Sequence, residues 1–225
     1  MDFDARAHVR EATLNAFNFR RATKAFDPSK PIDPADFDVI LQAARLSPTS
    51  NGLEPFNLLV LDSAAVRQRI VDEAGGGPQW VQAPKLVVIT TKRGAGLHAD
   101  GEHITHMKLD VQGFPADDLP GWQEHFEYFL TKNLELDNDK LRLEWARRQA
   151  YIVLGNIMTA AALLSIDSCA LEGVNYAVVD GILDQEGLQD KVKDQFAVAV
   201  ALGYRAAEPK RERTRRPLEE IVRYA

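Results

Sequence analysis

An uncharged run between Ala150 and Ile166, AYIVLGNIMTAAALLSI, constrains the fold of this chain more than any other segment. The run is slightly short for a transmembrane helix, and Asn156, Thr159 and Ser165 interrupt its apolar character. A helix that is apolar on all sides is typical of the interior of a soluble protein or of a dimer. We therefore expect a buried helix here and no membrane span.

The composition is that of an ordinary globular protein and argues against several classes of partner. The 225 residues include 27 Lys and Arg against 33 Asp and Glu, and the resulting net charge of −6 repels nucleic acid and anionic membranes. Cys169 is the single cysteine, which excludes an internal disulfide. The N-terminal segment lacks the apolar block of a signal peptide. We expect a cytoplasmic protein with one domain over residues 1–225.

Short apolar runs predict the strands. We expect strands at 57–62, 85–92 and 196–204, and a brief strand or turn at 167–173. Strands this apolar are covered on both faces. Because helical stretches separate them, the pattern predicts an α+β or α/β fold.

Apolar spacing and capping residues predict more helix than strand. Residues 97–144 differ from the rest and indicate helical excursions over a core, with a break at 115–121. The other expected helices are residues 4–18, a helix from the Asp33 cap to Ala44, one from the Ser63 cap to Gly75, one from the Asp139 cap to about Ser165, and a short one near 176–184.

Two groups of basic residues stand out from this acidic chain. Arg20, Arg21 and Lys24 lie near the start, and Arg213 and Arg215 lie near the end. Basic runs are usually solvated surface. Guanidinium groups are also the donors that a phosphate dianion requires when it is partly removed from water. If the two ends of the chain meet in the fold, these residues form one anion pocket.

Three other motifs suggest different chemistry. Residues 94–99 formally match the dinucleotide pattern G-x-G-x-x-A, but they do not follow the strand directly, and we favour a surface turn. The stretch from His98 to His106 would suit a non-enzymatic metal-binding or regulatory module, although its H-x-x-x-E-H spacing does not match that of zinc helices. Cys169 lies among apolar residues, as inert buried thiols do. We predict no metal site.

Four segments, in order and at suitable separations, resemble the FMN-dependent nitroreductase family. RRATKAF at 20–26 is similar to the family's opening R-R-S-x-R/K-x-F, and SPTSNGLEPF at 47–56 is similar to its S-P-S-S-x-x-x-Q-P-W loop. The uncharged helix followed by ALEGV at 170–174 resembles its N-x-x-L-A-A-x-x-L-G-L-x-x-x-P-x-x-G-F segment. Residues 201–222 resemble its terminal A-L-G-Y…K-x-R-x-P-L-E-E. Each motif is weak alone, but the ordered set is specific and is most similar to the oxygen-insensitive NAD(P)H nitroreductase or dihydropteridine-reductase-like branch.

The resemblance implies an α+β fold with a mixed central sheet flanked by helices. It also implies an intertwined homodimer with two FMN molecules at the subunit interface. The uncharged helix would then contribute to the dimer core, and residues 205–225 would form an arm that wraps the partner. Residues 97–144 would be a variable excursion over the open face of the flavin.

The resemblance also assigns roles to the basic residues. Arg20, Arg21, Arg213 and Arg215 would bind the phosphate and ribityl chain of FMN. Lys24 would lie near flavin N1 and O2, where a positive charge raises the two-electron potential.

Two loops complete the cofactor site that the resemblance implies. Thr49, Ser50 and Glu54 would reach FMN from the other subunit, and backbone N–H groups of Glu172 and Gly173 would approach flavin N5 and O4. The full predicted set is Arg20, Arg21, Ala22, Lys24, Thr49, Ser50, Glu54, Gln79, Ala170, Leu171, Glu172, Gly173, Arg213 and Arg215.

Several positions depart from the family pattern. Ala22 replaces a serine, Glu54 a glutamine and Ala170 a proline, while Gln79 falls about where a flavin-facing Lys or Gln is expected. These departures leave the flavin potential and the substrate preference open.

The resemblance implies a ping-pong oxidoreductase. NAD(P)H would deliver hydride to flavin N5 and leave, and a small nitroaromatic, quinone or similar flat acceptor would then take two electrons. This chemistry requires positioning and electrostatic tuning, and no protein nucleophile or general base, so we predict no catalytic side chain. A flavoenzyme of the same family with a narrow task, such as enal reduction, dehalogenation or flavin consumption, is the alternative.

Overall fold

The computed structural model describes residues 3–225. The strands are β1 (Phe56–Val60), β2 (Lys85–Lys92), β3 (Asp167–Leu171) and β4 (Asp194–Gly203). The helices are α1 (Phe3–Phe19), α2 (Pro34–Arg45), α3 (Ala64–Ala74), α4 (Gln79–Gln82), α5 (Glu102–His106), α6 (Leu119–Tyr128), α7 (Asp139–Leu163) and α8 (Tyr176–Gln185). The α+β class is confirmed.

The four strands form one sheet in the order β1-β2-β4-β3, and each neighbouring pair is antiparallel. The predicted mixed sheet is therefore wrong for these strands. Parallel pairing in the described part of the chain is limited to an isolated bridge between Ala22 and Ser168. β1 and β2 are joined at one end of the sheet, and β3 and β4 at the other. In each case the chain re-enters the sheet at the end it has just left, which makes the two strands antiparallel.

The sheet has two ends that carry different chemistry. Lys92 pairs with Asp194 at one end, and Lys85 pairs with Leu202 at the other, where β4 leads into Arg205. We call these the Lys92 end and the Arg205 end. Since β4 has 10 residues, and a strand rises about 3.3 Å per residue, the two ends lie roughly 30 Å apart.

Each face of the sheet is covered by helices. Leu86 and Val88 of β2 belong to a core with α3 and α8, whereas the alternate residues Val87 and Ile89 belong to a second core with α2 and α7. All four side chains are fully buried. The expectation that these strands are covered on both faces is confirmed, and the alternation follows from the period of two along a strand.

Residues 97–144 build a third core around Phe126, Leu130 and Trp145. α5 and α6 contribute to it, each followed by a π-helical turn. The predicted helical excursions over a core are confirmed. The predicted break at 115–121 is only partly right, since α6 begins within it; a proline is tolerated in the first turn of a helix.

Two of the three predicted helix caps are confirmed. The Asp33 carboxylate accepts a hydrogen bond from the Ala35 N–H at 2.8 Å, and the Ser63 hydroxyl accepts one from Val66 at 3.3 Å. The predicted Asp139 cap of α7 is wrong, because Asn138 accepts the bond from Leu141. Asp139 lies in the first turn, where its negative charge still favours the helix dipole.

The uncharged part of α7 is buried on one face only. Ala150, Val153 and Ile157 are fully buried against the sheet, but Ile152 is 42% and Leu163 54% exposed. The expectation of a helix buried on all sides is therefore not met by a single chain. Of the helices between residues 3 and 225, none combines the length and hydropathy needed to cross a bilayer.

Candidate functional site

The two ends of the chain meet at the Arg205 end of the sheet. They enclose a pocket of about 770 Å³, a volume within the range of small-molecule sites. The condition set for the basic clusters, that the two ends of the chain meet, is fulfilled in the structure. Six predicted site residues line this arginine pocket: Arg20, Arg21, Ala22, Lys24, Arg213 and Arg215.

The segment after α1 is held in place by backbone bonds to the sheet. The Thr23 N–H donates to the Ser168 carbonyl at 3.2 Å, and the Asp27 N–H donates to the Tyr204 carbonyl at 2.8 Å. Gln79 donates to the Lys24 carbonyl at 3.1 Å. Gln79 is buried and lies outside the pocket lining, so in this chain it supports the backbone of Lys24.

An ion pair with a buried aspartate holds Arg205 in the lining of the arginine pocket. Arg205 donates to both carboxylate oxygens of Asp167, with contacts of 2.6 to 3.0 Å, and the Thr23 hydroxyl donates to the same carboxylate at 3.2 Å. Asp167 is 3% exposed. The hydrogen bond to Asp167 raises the pKa of Arg205. The pair ties the first residue of β3 to the segment that follows β4.

Arg213 fastens the C-terminal tail to the end of α1. Its guanidinium donates to the carbonyls of Phe17, Asn18 (2.5 Å) and Arg20 (2.7 Å). The last carbonyls of a helix lack partners within the helix and carry partial negative charge, so a cation is favourable there. Arg21 in turn donates to the Arg211 carbonyl. The two ends of the chain are therefore bonded directly to each other.

The arginine pocket carries a strong excess of positive charge. Its lining contains eight basic residues against two carboxylates, Glu208 and Glu212. Burial, followed by the neighbouring charges of Arg215, Arg20 and Arg21, lowers the pKa of Arg213. Like charges gathered without enough counter-charge favour an anion between them. A phosphate group fits this donor set.

The turn after β3 follows the edge strand of the sheet that contacts the arginine pocket. Ala170, Glu172 and Gly173 are exposed, whereas Leu171 is buried in the core. Ser168 contacts Ala22, so Glu172 lies about 13 Å further along β3. The Tyr151 hydroxyl on α7 donates to the Glu172 carboxylate. This turn therefore lies within reach of a ligand whose phosphate occupies the arginine pocket.

The loop over residues 47–56 lies at the Lys92 end, because Phe56 pairs with Thr91. The Thr49 hydroxyl accepts a bond from the Glu54 N–H at 3.0 Å, and the Ser50 N–H donates to Gln149 at 2.9 Å. None of these predicted residues is among those that line the arginine pocket in the described chain. A single chain does not bring them together, and their role toward a partner subunit stays a prediction.

The alternative motifs have other partners. The turn at Gly94–Leu97 follows a strand with antiparallel neighbours, whereas dinucleotide folds require a parallel βαβ unit. His98 pairs with Asp139, His106 with Asp110, and His103 with the Leu53 carbonyl. Within residues 3–225, no group of three or more potential metal ligands converges.

Cys169 is buried in β3, and burial raises the pKa of its thiol. This environment agrees with the predicted inert role.

Three residues of this region, Asp167, Arg205 and Tyr151, were not predicted from the sequence. Asp167 and Arg205 are separated by 38 residues, and Tyr151 and Glu172 by 21. Their pairings depend on the antiparallel register of β3 and β4 and on the position of α7, and no local motif marks them. One signal for the ion pair was available in the sequence. Asp167 begins an otherwise apolar strand, and a buried carboxylate requires a cation nearby.

Comparison with known proteins shows which family this chain resembles in sequence. The model of the family described as "Nitroreductase family" matches residues 18–204. A Staphylococcus haemolyticus protein named for an inferred NAD(P)H nitroreductase activity is 36% identical over 217 residues, which cover 96% of this chain and 98% of that protein.

Solved structures share the fold at lower identity. A nitroreductase-like protein from Streptococcus mutans has a TM-score of 0.74 at 15% identity, covering 96% of this chain and 99% of that one. An Exiguobacterium sibiricum protein, assigned as a nitroreductase by inference and crystallised with FMN, has a TM-score of 0.70 at 16% identity, covering 95% and 97%. Because the family model matches residues 18–204, from the end of α1 through β4, the chain belongs to the Nitroreductase family.

Proposed function

We propose that this chain is an FMN-dependent oxidoreductase that takes hydride from NAD(P)H and passes two electrons to small flat acceptors such as nitroaromatics or quinones. The arginine pocket carries this proposal, because its eight basic residues are suited to a phosphate and come from both ends of the chain. Family membership and the FMN in the Exiguobacterium sibiricum relative support the same cofactor.

The lining residues divide into two roles. Arg20, Arg21 and Arg215 would hold the phosphate directly, since Arg215 bonds only the neighbouring Thr214 carbonyl among described residues. Arg213 would act mainly by fastening the tail, because its donors are directed at three backbone carbonyls. When bound, FMN supplies the ring that accepts hydride and returns two electrons.

Lys24 and the turn after β3 would tune and orient the bound ring. Lys24 lines the pocket, and its backbone is fixed by Gln79. A positive charge beside the ring raises its two-electron potential. The exposed backbone at Glu172 and Gly173 would offer N–H donors to the edge of the ring, which requires no particular side chain.

A second copy of the chain is the proposed partner. Thr49, Ser50 and Glu54 lie roughly 30 Å from the arginine pocket of their own chain, so only another copy could bring them to it. Large apolar side chains are also exposed on α1, α7 and the tail: Leu14, Phe17, Ile152, Leu163, Leu218 and Ile221. Such patches mark interaction surfaces. Light scattering should give twice the chain mass of 25.1 kDa, and a particle of 25.1 kDa would contradict the dimer.

Absorption spectroscopy tests the function directly. The purified protein should be yellow, and its flavin bands should bleach when NADH or NADPH is added without oxygen. The bands should return when a nitroaromatic or quinone is added. A folded chain that stays colourless and takes up no added FMN would contradict the proposal.

A further inference from the structure

A second pocket opens between the N-terminal half of α7 and the start of α8. Its volume is about 640 Å³, enough for a single aromatic ring with substituents. The α7 residues in its lining are spaced three and four apart and therefore form one stripe along the helix. The lining consists of Leu141, Glu144, Arg147, Arg148, Tyr151, Tyr176 and Ala197.

Two tyrosine rings give this pocket flat and well-fixed walls. The Tyr151 hydroxyl donates to Glu172, and burial together with this bond raises the pKa of Tyr151. The Tyr176 ring packs edge-on against Phe196, with centroids 4.8 Å apart. The Arg147 guanidinium lies 5.1 Å from the centre of the Tyr176 ring. Aromatic ligands stack favourably on such surfaces.

The charges in the pocket leave one cation free. Arg147 pairs with Glu144, yet its Nε atom is buried without a hydrogen-bond partner. Arg148 is exposed and forms no ion pair with any other described residue. The nearby Glu172 carboxylate already accepts the Tyr151 hydroxyl. A carboxylate would therefore find a guanidinium here that is not already neutralised.

We propose that this tyrosine pocket binds flat aromatic molecules that carry a carboxylate, with the ring against Tyr151 and Tyr176 and the carboxylate on Arg148. Through Tyr151 the pocket adjoins Glu172, so a molecule bound here lies beside the turn of the candidate cofactor site. The further claim that this molecule is the electron acceptor rests on the proposed function. The substrate class would then be anionic aromatics, such as nitrobenzoates.

The reaction balances with the co-substrate already proposed. A nitrobenzoate, one NAD(P)H and one proton give the nitroso compound, NAD(P)+ and water. One N–O bond breaks, its oxygen leaves as water, and the nitrogen gains the two electrons that the nicotinamide loses. The carboxylate takes no part, and serves only to hold the ring in place.

Calorimetry on the full-length protein as purified tests the site without turnover. Benzoate should bind the wild type, and Arg148→Gln should weaken that binding about tenfold, the loss expected for one charge-assisted hydrogen bond. Benzamide, which has the same shape without the charge, should bind both proteins equally. Arg45→Gln, at an exposed arginine on α2, is the matched control and should leave benzoate binding unchanged. Equal benzoate affinity in the Arg148→Gln and wild-type proteins, or no binding to the wild type, would overturn the proposal.

Steady-state kinetics separates this proposal from the proposed function. In Arg148→Gln the KM for 4-nitrobenzoate should rise about tenfold, while the KM for 4-nitrobenzamide and both kcat values stay unchanged. If benzoate binds through Arg148 but the protein takes up no FMN, the proposed function fails and the binding site stands. If the protein reduces nitrobenzamide but benzoate binding ignores Arg148, the site fails and the function stands.

Discussion

The two ends of the sheet are both rich in cations, but only one of them lacks counter-charge. At the Lys92 end three lysines are paired: Lys92 with Asp194 at 2.9 Å, Lys191 with Asp184 at 2.9 Å, and Lys193 with Glu102 at 3.5 Å. A fourth cation there, Arg93, donates to the Lys191 carbonyl at 3.2 Å. At the Arg205 end, eight basic residues share two carboxylates in the pocket lining. Among the described residues that line this pocket, only Arg205 pairs with a buried acid, Asp167.

This difference separates structural charge from charge that is available to a ligand. A cation paired with a carboxylate has little left to offer an anion, whereas a cluster held together by backbone contacts remains attractive to one. At the Arg205 end that scaffold is the Arg213 contact with the end of α1 and the Asp167–Arg205 pair. A count of basic residues in the sequence does not distinguish the two situations.

Breaking the scaffold should give the largest effect. Asp167→Asn removes the buried carboxylate charge and leaves Arg205 with only the exposed Glu208 as an acidic partner among the described residues, which should lower the free energy of unfolding by about 3 kcal/mol. Urea denaturation with matched m-values measures this change. A loss below about 1 kcal/mol would show that the pair contributes little to holding the pocket together.

Removing cations from the arginine pocket should come next. Arg213→Ala with Arg215→Ala should weaken FMN binding about 100-fold, because Arg215 loses a charge-assisted contact of about 1.5 kcal/mol or more and the tail that carries it loses its Arg213 attachment to α1. Fluorescence titration of the flavin reports the affinity. Lys191→Ala with Lys193→Ala removes the same charge at the Lys92 end and should leave FMN affinity unchanged. Full flavin occupancy in the arginine variant would contradict the phosphate assignment.

A smaller effect should come from His103 at the Lys92 end. Burial lowers the pKa of His103, so the folded protein favours the neutral ring that bonds the Leu53 carbonyl. The unfolded chain binds a proton at about pH 6.5, before the folded chain does. Stability contributed by this group is therefore complete above about pH 6.5 and is lost as the pH falls toward the lower native pKa.

Urea midpoints at pH 7.5 and pH 5.5 test the role of His103. The wild type should lose more stability between these two conditions than His103→Gln, which cannot titrate. An identical loss in both proteins would mean that His103 does not contribute to the pH dependence.

The smallest effect should come from an exposed pair at the Lys92 end. Glu102→Gln removes the partner of Lys193, and the two side chains are 87% and 63% exposed. Surface ion pairs contribute little, so the free energy of unfolding should change by less than about 0.5 kcal/mol. Thermal melts of both proteins at low and high salt measure this contribution. A melting temperature that drops clearly in Glu102→Gln at low salt, but not at high salt, would show that the exposed pair contributes more than this.

Local features of the fold were predictable, and long-range ones were not. The strand at 85–92 and the Asp33 and Ser63 caps depend on residues within one turn or strand, and the structure confirms them. The antiparallel sheet and the Asp167–Arg205 pair depend on the path of the chain between elements. The meeting of the two chain ends could be stated from the sequence only as a condition, because nothing near Arg21 or Arg211 specifies the hydrogen bond between them.

The candidate site shows the same division. Arg20, Lys24 and Arg215 were identified by residue type and by resemblance, and the fold gathers them around one pocket. The position of Gln79 beneath Lys24 was not foreseen, since a buried amide bonded to a backbone carbonyl has no sequence signature. Thr49 and Glu54 stay predictions, because one chain holds them at the other end of its sheet.

The affinity ratio of two flavins tests the central claim most directly. FMN and riboflavin share a ring and differ by one phosphate, so a pocket of uncompensated arginines should bind FMN at least 100-fold more tightly. The ratio should shrink toward one in Arg21→Ala with Arg215→Ala. Equal affinity of the wild-type protein for the two flavins would contradict the claim that cations from both ends of the chain hold a phosphate.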